Sequence, residues 1–210
     1  MRLEDLIGQF AKPDTKITLE EMTQEVKAAY EGHLQAESEK YCCDAKALGE
    51  VLGGASRFIG IAESYYAYAI DGVLNTSEAV IQDSNWLDFS SFINQARWDA
   101  EFHAANSLAP GLEKLFKLGA IRARLDIDTL GDAAEAALPE VLRSTACGYL
   151  TLLEIAFLAQ MNEKSVRNAT QPTAPDRLYT RKEGVRTVVD SQEALRWLKG
   201  RRNFKPTTLV

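Results

Sequence analysis

The chain has 210 residues, of which 46% are hydrophobic and 26% are charged, and its formal net charge is −6 at pH 7. This length and composition indicate a folded globular protein and argue against a disordered one. No apolar run reaches the roughly 18 residues of a membrane span, and charged residues near the N-terminus argue against a signal peptide, so we expect a cytoplasmic protein without a membrane partner.

Residues 1–149 are predicted to form an acidic, all-helical domain for interaction, dimerisation or sensing. Thr18 and Glu21 have the spacing of a capping box, and the proline-free stretch after them predicts a helix to about Leu52. Later breaks at glycine, asparagine and proline separate further helical segments. These are Phe58–Leu74, Asp88–Ser107, Pro110–Leu118 and a segment from Asp132 to Gly148 interrupted at Pro139.

Three tyrosines lie close together in the second segment, at positions 65, 66 and 68. Aromatic side chains can line a ligand pocket. Their neighbours are also apolar, however, and this favours packing in the core. Any small-molecule effector stays unknown.

The two histidines are each spaced four residues from a carboxylate, His33 before Glu37 and His103 after Asp99. Each pair would share one helix face, but a helical di-metal site needs more ligands in a repeated pattern. Cys42 and Cys43 are interpreted as reduced, buried side chains within a helix. No catalytic motif is present, so we expect a protein without a metal, a cofactor or enzymatic activity.

The charge balance reverses near residue 150. Residues 1–149 carry 13 Lys and Arg against 24 Asp and Glu, whereas residues 150–210 carry 11 against 6, which gives balances of −11 and +5. A basic module attached to an acidic body is typical of a protein in which one part approaches phosphates. Residues 150–210 are therefore predicted to be a separate, DNA-binding domain.

The first part of this module, Leu150–Ala169, reads as two helices joined by a tight turn. Thr151 and Glu154 have capping-box spacing at the start of the first helix, and Asn162 can cap the second. Ala156 allows a close helix crossing. Gln160 stands where such turns commonly have glycine to allow a left-handed backbone, so we expect either strain at Gln160 or a slightly altered turn.

A basic β-hairpin is predicted next, with Leu178–Thr180 as one strand, Arg181–Gly184 as the turn and Val185–Val189 as the second strand. Asp190 is expected to cap a final helix, with Glu193 at capping-box spacing.

Together these features resemble the winged helix-turn-helix domains of bacterial DNA-binding proteins of the MerR and phage excisionase type. The resemblance implies a mainly α fold, in which an N-terminal helical domain is followed by a C-terminal winged helix-turn-helix with a short β-hairpin. It also implies sequence-specific binding of double-stranded DNA by a transcriptional regulator, with the second helix, at about 162–170, in the major groove.

The resemblance implies two groups of DNA-binding residues. Those of the second helix would read base edges, with Arg167 and Asn168 first, and those of the wing, at about 178–189, would contact phosphates or the minor groove. Arg201, Arg202 and Lys205 of the tail are either further phosphate contacts or part of a flexible end. The predicted residues are Asn162, Glu163, Lys164, Arg167, Asn168, Arg181, Lys182 and Arg186.

We also expect a homodimer, which would present two such helices one duplex turn apart and would imply a palindromic site. An adaptor that docks an acidic protein surface, and never binds DNA, is the rival function.

Overall fold

A computed structural model of the protein describes residues 6–77, 79–103, 105, 107–143 and 147–210. This part of the chain is mainly α-helical with a small amount of sheet, as predicted. None of its helices has the length and hydrophobicity of a membrane span. The helices are α1 (Leu19–Tyr41), α2 (Ala45–Leu52), α3 (Ser56–Ala69), α4 (Ala79–Phe102), α5 (Pro110–Leu130), α6 (Asp132–Ala137), α7 (Leu152–Ala159), α8 (Glu163–Ala169) and α9 (Ser191–Leu198), with a 3-10 turn at Glu140–Leu142.

The strands are short and form two sheets. The strands are β1 (Val73–Leu74), β2 (Tyr149–Thr151), β3 (Arg181–Glu183), β4 (Arg186–Asp190) and β5 (Thr208–Leu209). Strands β1 and β5 pair in parallel, while β4 lies between β2 and β3 and is antiparallel to both.

The residues group into two compact units. The first contains the described parts of residues 1–11, 17–66 and 84–117, and the second contains those of residues 12–16, 67–83 and 118–210. Residues 150–210 thus belong to the second unit together with earlier segments. Whether they also form a separate domain stays a prediction.

The first helix is shorter than predicted. Its capping box between Thr18 and Glu21 is confirmed, but α1 ends where Cys42 adopts a left-handed backbone with φ 52°. The Cys43 N–H then donates to the Ser38 carbonyl at 3.0 Å, which closes the helix end. The interpretation of Cys42 and Cys43 as buried helical residues is therefore wrong, because both follow the helix and are exposed.

Other helix bounds also differ from the sequence prediction. Helix α3 ends at Ala69 instead of Leu74, and α4 begins at Ala79 instead of Asp88. Helix α5 continues to Leu130 instead of ending at Leu118. Residues 104 and 106 of the predicted third segment, and 144–146 of the predicted segment after Asp132, lie outside the described residues.

In the first unit, the core is centred on Tyr65 of α3, which is fully buried as predicted. Its ring lies 5.0 Å from both Trp86 and Phe89 and 5.6 Å from Phe116, measured between centroids. Its hydroxyl donates to the Phe116 carbonyl at 2.8 Å, so the polar end of a buried side chain is satisfied.

In the second unit, the C-terminal half of α5 carries four charged residues that contact other elements; we call them the charged row. Two of its members position the C-terminal helices. The Arg124 guanidinium lies 2.7 Å from the Glu154 carboxylate of α7, and Asp128 accepts a hydrogen bond from the Ser191 hydroxyl of α9 at 2.5 Å. The row consists of Arg122, Arg124, Asp126 and Asp128.

The other two members of the charged row hold the C-terminal tail. Arg122 donates to the Ala69 and Lys205 carbonyls at 3.1 and 2.8 Å. Asp126 accepts from the Tyr68 hydroxyl at 2.8 Å and from the Thr207 hydroxyl at 2.9 Å. Burial raises the pKa of Asp126 from 3.8 to about 6, against the lowering effects of Arg122 and the two hydroxyl groups.

Asp126 is expected to make folding stability depend on pH. Because its folded pKa exceeds the unfolded value of 3.8, the carboxyl stabilises the fold below that value, and the contribution is lost as pH rises through about 6. The variant Asp126→Asn cannot titrate. Wild type should therefore lose up to about 3 kcal/mol of stability between pH 4 and pH 7 that the variant does not lose. The free energy of unfolding of the variant minus that of wild type should rise by this amount in chemical denaturation. A difference that stays constant over this range would contradict the assigned pKa.

Candidate nucleic-acid interface

Thr151 caps the N-terminus of α7, as predicted. The Thr151 hydroxyl accepts from the Glu154 N–H at 3.3 Å, and the Glu154 carboxylate accepts from the Thr151 N–H at 2.7 Å. The contact with Arg124 adds a half-buried ion pair to this capping box. All but two residues of α7 are buried, so the helix is anchored within its unit.

The turn after α7 contains a left-handed residue at Gln160, where either strain or an altered turn was expected. Gln160 adopts φ 49° and ψ 49°, and the Met161 N–H donates to the Ala156 carbonyl at 3.0 Å. Asn162 then caps α8 through its side-chain oxygen, which accepts from the Lys164 N–H at 2.9 Å. Only one residue thus separates the left-handed position from the next helix cap.

Helix α8 packs against α7 through one side. Val166 is the one fully buried residue of α8, all seven residues of which are described, and Ala169 is half-buried. Lys164, Arg167 and Asn168 are exposed and share a face, because residues three and four apart are neighbours on a helix. These three predicted residues are therefore brought together at the surface.

Glu163, the first residue of α8, and Asn162, its cap, already have polar partners. Glu163 lies 2.8 Å from the Arg167 guanidinium, whose side chain is 65% exposed. The Asn162 side chain caps the helix and also contacts the Asp14 carboxylate at 3.4 Å. A base contact by Asn162 would compete with its role as a cap.

The predicted β-hairpin is present, but its strands have different bounds from the predicted ones. The predicted strand at Leu178–Thr180 and the predicted turn at Arg181–Gly184 are wrong, since Arg181–Glu183 forms β3. Glu183 pairs with Arg186, which leaves Gly184 and Val185 as a two-residue turn. Gly184 alone of these two has a positive φ, 58°, which matches a type II′ hairpin turn.

The cationic side chains of the hairpin lie on two opposite faces of its sheet. Successive strand residues point to opposite sides of a sheet. Arg181 contacts the Glu183 carboxylate and lies 5.4 Å from the Tyr149 ring centroid, whereas Lys182 donates to the Thr187 hydroxyl at 2.9 Å. Arg186 lies on the Arg181 side, because it is paired with Glu183. All three cations are exposed.

The final helix is capped as predicted, but without the predicted capping box. The Asp190 side chain accepts from the Gln192 N–H at 3.0 Å. The Glu193 carboxylate instead accepts from the Tyr179 N–H and from Arg196, and the hydrogen bonds from Arg196 lower its pKa most. This arrangement fixes the loop before β3 onto α9.

The tail is held in place rather than extended as a flexible end. Arg201 contacts the Asp176 carboxylate and lies 4.0 Å from the Trp197 ring centroid. Lys205 lies 2.6 Å from the Asp71 carboxylate, and Phe204 is buried. Arg201 and Lys205 therefore already have anionic partners.

Several positioning residues were missed by sequence reasoning. Arg124 and Asp128 anchor α7 and α9, and Tyr149 supports Arg181 from a strand that was not predicted. The sequence analysis also missed the contact of His33 with Asp99 of another helix, at 2.9 Å. No periodic pattern could have linked these residues, since each contact joins distant parts of the chain.

Comparisons with family models, with curated proteins and with solved structures found no match to this chain.

The left-handed turn gives a testable stability effect. The left-handed conformation is sterically unfavourable for a residue with a Cβ, whereas glycine adopts it without this cost in free energy. We expect Gln160→Gly to raise the free energy of unfolding by about 1 kcal/mol in urea denaturation. Gln160→Ala retains a Cβ and serves as the control. If glycine were no more stable than alanine at this position, the backbone conformation assigned to Gln160 would be wrong.

Proposed function

We propose that residues 149–198 form a winged helix-turn-helix that binds double-stranded DNA with sequence specificity, and that the protein regulates transcription. The observation that supports this most is the geometry of α7, Gln160 and α8. A buried helix is followed by a left-handed turn and a capped helix that buries only Val166 and exposes its cationic face. This geometry supports the proposal of a winged domain of the MerR and excisionase type.

Base readout is assigned to the exposed face of α8. Arg167 and Lys164 can donate to guanine O6 and N7, and Asn168 can bracket adenine N6 and N7. Arg167 would first have to leave Glu163. Such an exposed helical pair is worth only about 0.3–0.5 kcal/mol, whereas a bidentate base contact is worth about 1–3 kcal/mol, so the exchange is favourable. The released Glu163 could accept from cytosine N4.

Affinity is assigned to the hairpin. Arg181, Lys182 and Arg186 are exposed near a tip whose Val185 is 96% exposed. Because Arg181 and Lys182 point to opposite faces, a duplex on one face would meet Arg181 and Arg186, while Lys182 would reach phosphates at the edge. The net balance of +5 in residues 150–210 agrees with a phosphate partner.

A homodimer is part of this proposal. Trp98 and Phe102 of α4 are more than half exposed, and their ring centroids lie 4.2 Å apart. Adjacent exposed aromatic rings are typical of protein interfaces. Two copies would present two α8 helices about 34 Å apart along the duplex and would select an inverted repeat.

The proposal is tested with the double variant Arg167→Ala/Asn168→Ala. Wild type should bind a random pool of 30-base-pair duplexes in fluorescence anisotropy and enrich an inverted-repeat motif on sequencing. The variant should lose that motif, because two base contacts of about 1–3 kcal/mol each are removed. Non-specific binding at low salt should remain, since the hairpin is intact.

The matched control is Gln24→Ala/Lys27→Ala, which removes one amide and one cation from exposed positions of α1. It should enrich the wild-type motif. Absence of duplex binding by wild type at low salt would reject the DNA proposal, and binding to an acidic protein surface instead would support the adaptor.

The hairpin makes a separate prediction about salt. Each phosphate contact contributes about −0.9 to the slope of log affinity against log salt on duplex DNA. Lys182→Gln/Arg186→Gln should therefore reduce the magnitude of the slope by about 1–2 while leaving the enriched motif unchanged. A changed motif with an unchanged slope would assign these residues to base readout instead.

A further inference from the structure

The first unit contains a cavity of about 410 Å³ between α1, α3 and α4 and the segment after α2. An engineered protein cavity of about 150 Å³ already holds benzene, so this volume suits a ligand of two or three aromatic rings. The rings of Phe58 and Phe92 are stacked at 4.4 Å between centroids and form an aromatic part of the wall. The apolar residues of the lining are Ala29, Leu52, Phe58, Phe92 and Ala96.

Four of the polar side chains that line the cavity are paired within the protein. Arg57 and Asp88 contact each other, so neither offers an unpaired charge to a ligand. The Ser91 hydroxyl donates to a carbonyl one turn earlier in α4 at 3.1 Å, and the Gln95 amide donates to the Asp99 carboxylate at 2.8 Å.

The other two polar residues of the lining are His33 and Tyr30. Nδ1 of His33 contacts the Asp99 carboxylate at 2.9 Å. The Tyr30 hydroxyl is closed to solvent, so Tyr30 can contribute its ring to the wall but not its polar atom. A charged ligand would therefore lose its hydration in the cavity with little in return, and an uncharged apolar ligand is favoured.

Helix α2, which ends at this cavity, is weakly packed. All eight of its residues are described, and none of them is buried. A second cavity, of about 370 Å³, lies between α1 and α2. An element with few buried apolar contacts changes position at a small cost in free energy.

The last residue of α2, Leu52, connects the helix to the cavity. It belongs to the cavity lining and is 55% exposed, so about half of its surface still contacts water. A shift of the C-terminal end of α2 toward Phe58 and Phe92 would bury this side chain against a bound molecule. Such burial stabilises the shifted position only when the cavity is filled.

The two ends of α2 are attached differently. Before its start, the Cys43 N–H donates to the Ser38 carbonyl of α1 at 3.0 Å, and the Ser38 hydroxyl donates to the Cys43 carbonyl at 2.6 Å. After its end, Gly53 and Gly54 have φ values of 82° and 75°, and a Cβ at either position would meet no atom within 4 Å. The C-terminal end of α2 is therefore the end that can move.

We propose that this cavity binds an uncharged aromatic molecule of two or three rings, and that α2 is a lid that closes over the bound molecule. The ligand contacts the wall formed by Phe58 and Phe92, and Leu52 covers it. The site lies entirely within the first unit and goes beyond the proposed DNA binding, on which it does not depend.

The probe for the test is N-phenyl-1-naphthylamine, which is uncharged at pH 7 and fluoresces in apolar surroundings. The full chain should bind it at a single site. Its anionic analogue 8-anilino-1-naphthalenesulfonate should bind at least about tenfold more weakly, because the Arg57 guanidinium is already paired. The proposal is overturned if the chain does not bind the uncharged probe, or if the anion binds as tightly.

Two tryptophan variants locate the site. Ser91 and Asn94 are both exposed positions of α4, but Ser91 lines the cavity and Asn94 does not. Ser91→Trp narrows the cavity and should abolish binding of the uncharged probe, whereas Asn94→Trp should bind it as wild type does. Equal behaviour of these two variants would overturn the site.

Two serine variants test the lid. Leu52→Ser should weaken binding about four- to tenfold, because a half-exposed leucine gains about half the free energy of its full burial when the lid closes. Val51→Ser is the matched control, since Val51 is exposed and does not line the cavity, and it should bind as wild type does. Both variants should fold normally, because α2 has no buried residue.

Hydrogen exchange separates closure of the lid from simple contact with Leu52. The uncharged probe should slow amide exchange in α2 and leave that of α9 unchanged. Unchanged exchange in α2 of the probe-bound chain, or equal affinities of the two serine variants, would overturn the lid.

Discussion

The charged row of α5 is the constraint on which the second unit depends. Its four charged residues lie within seven positions. Arg122, Arg124 and Asp126 are buried and Asp128 is half-buried, and each has a polar partner from another segment. A buried charge costs several kcal/mol when it is unpaired, so each contact must form or the helix cannot stay buried. Arg122 and Asp126 fix the tail, while Arg124 and Asp128 fix α7 and α9. The same helix therefore specifies where the candidate interface is built.

This anchoring explains why the candidate interface can combine a rigid base with an exposed face. Helix α7 is almost fully buried and is tied to α5 through Glu154, whereas α8 is attached mainly through Val166. A short helix has little stability of its own, so its orientation comes from the cap at Asn162 and the turn at Gln160. The polar side chains of α8 then need no role in folding, and they are free to be selected for binding.

The candidate interface on α8 and the hairpin relies on exposed, solvated cations, some of which are held by weak internal pairs such as Glu163 with Arg167. Binding at such a site is sensitive to salt.

By itself, the sequence determined the features that depend on neighbours along the chain. The caps at Thr18, Thr151, Asn162 and Asp190 were predicted correctly, because each is decided within about four residues. The tertiary structure alone decided which charges are buried, since Arg124 and Asp126 lie beyond the helix end predicted at Leu118 and meet Glu154 and Thr207 only on folding. It also decided the pairing of β2 with β4 and of His33 with Asp99. Local backbone preferences depend on a few neighbouring residues in the sequence. The free-energy cost of burying a polar group depends instead on partners that only folding brings within reach.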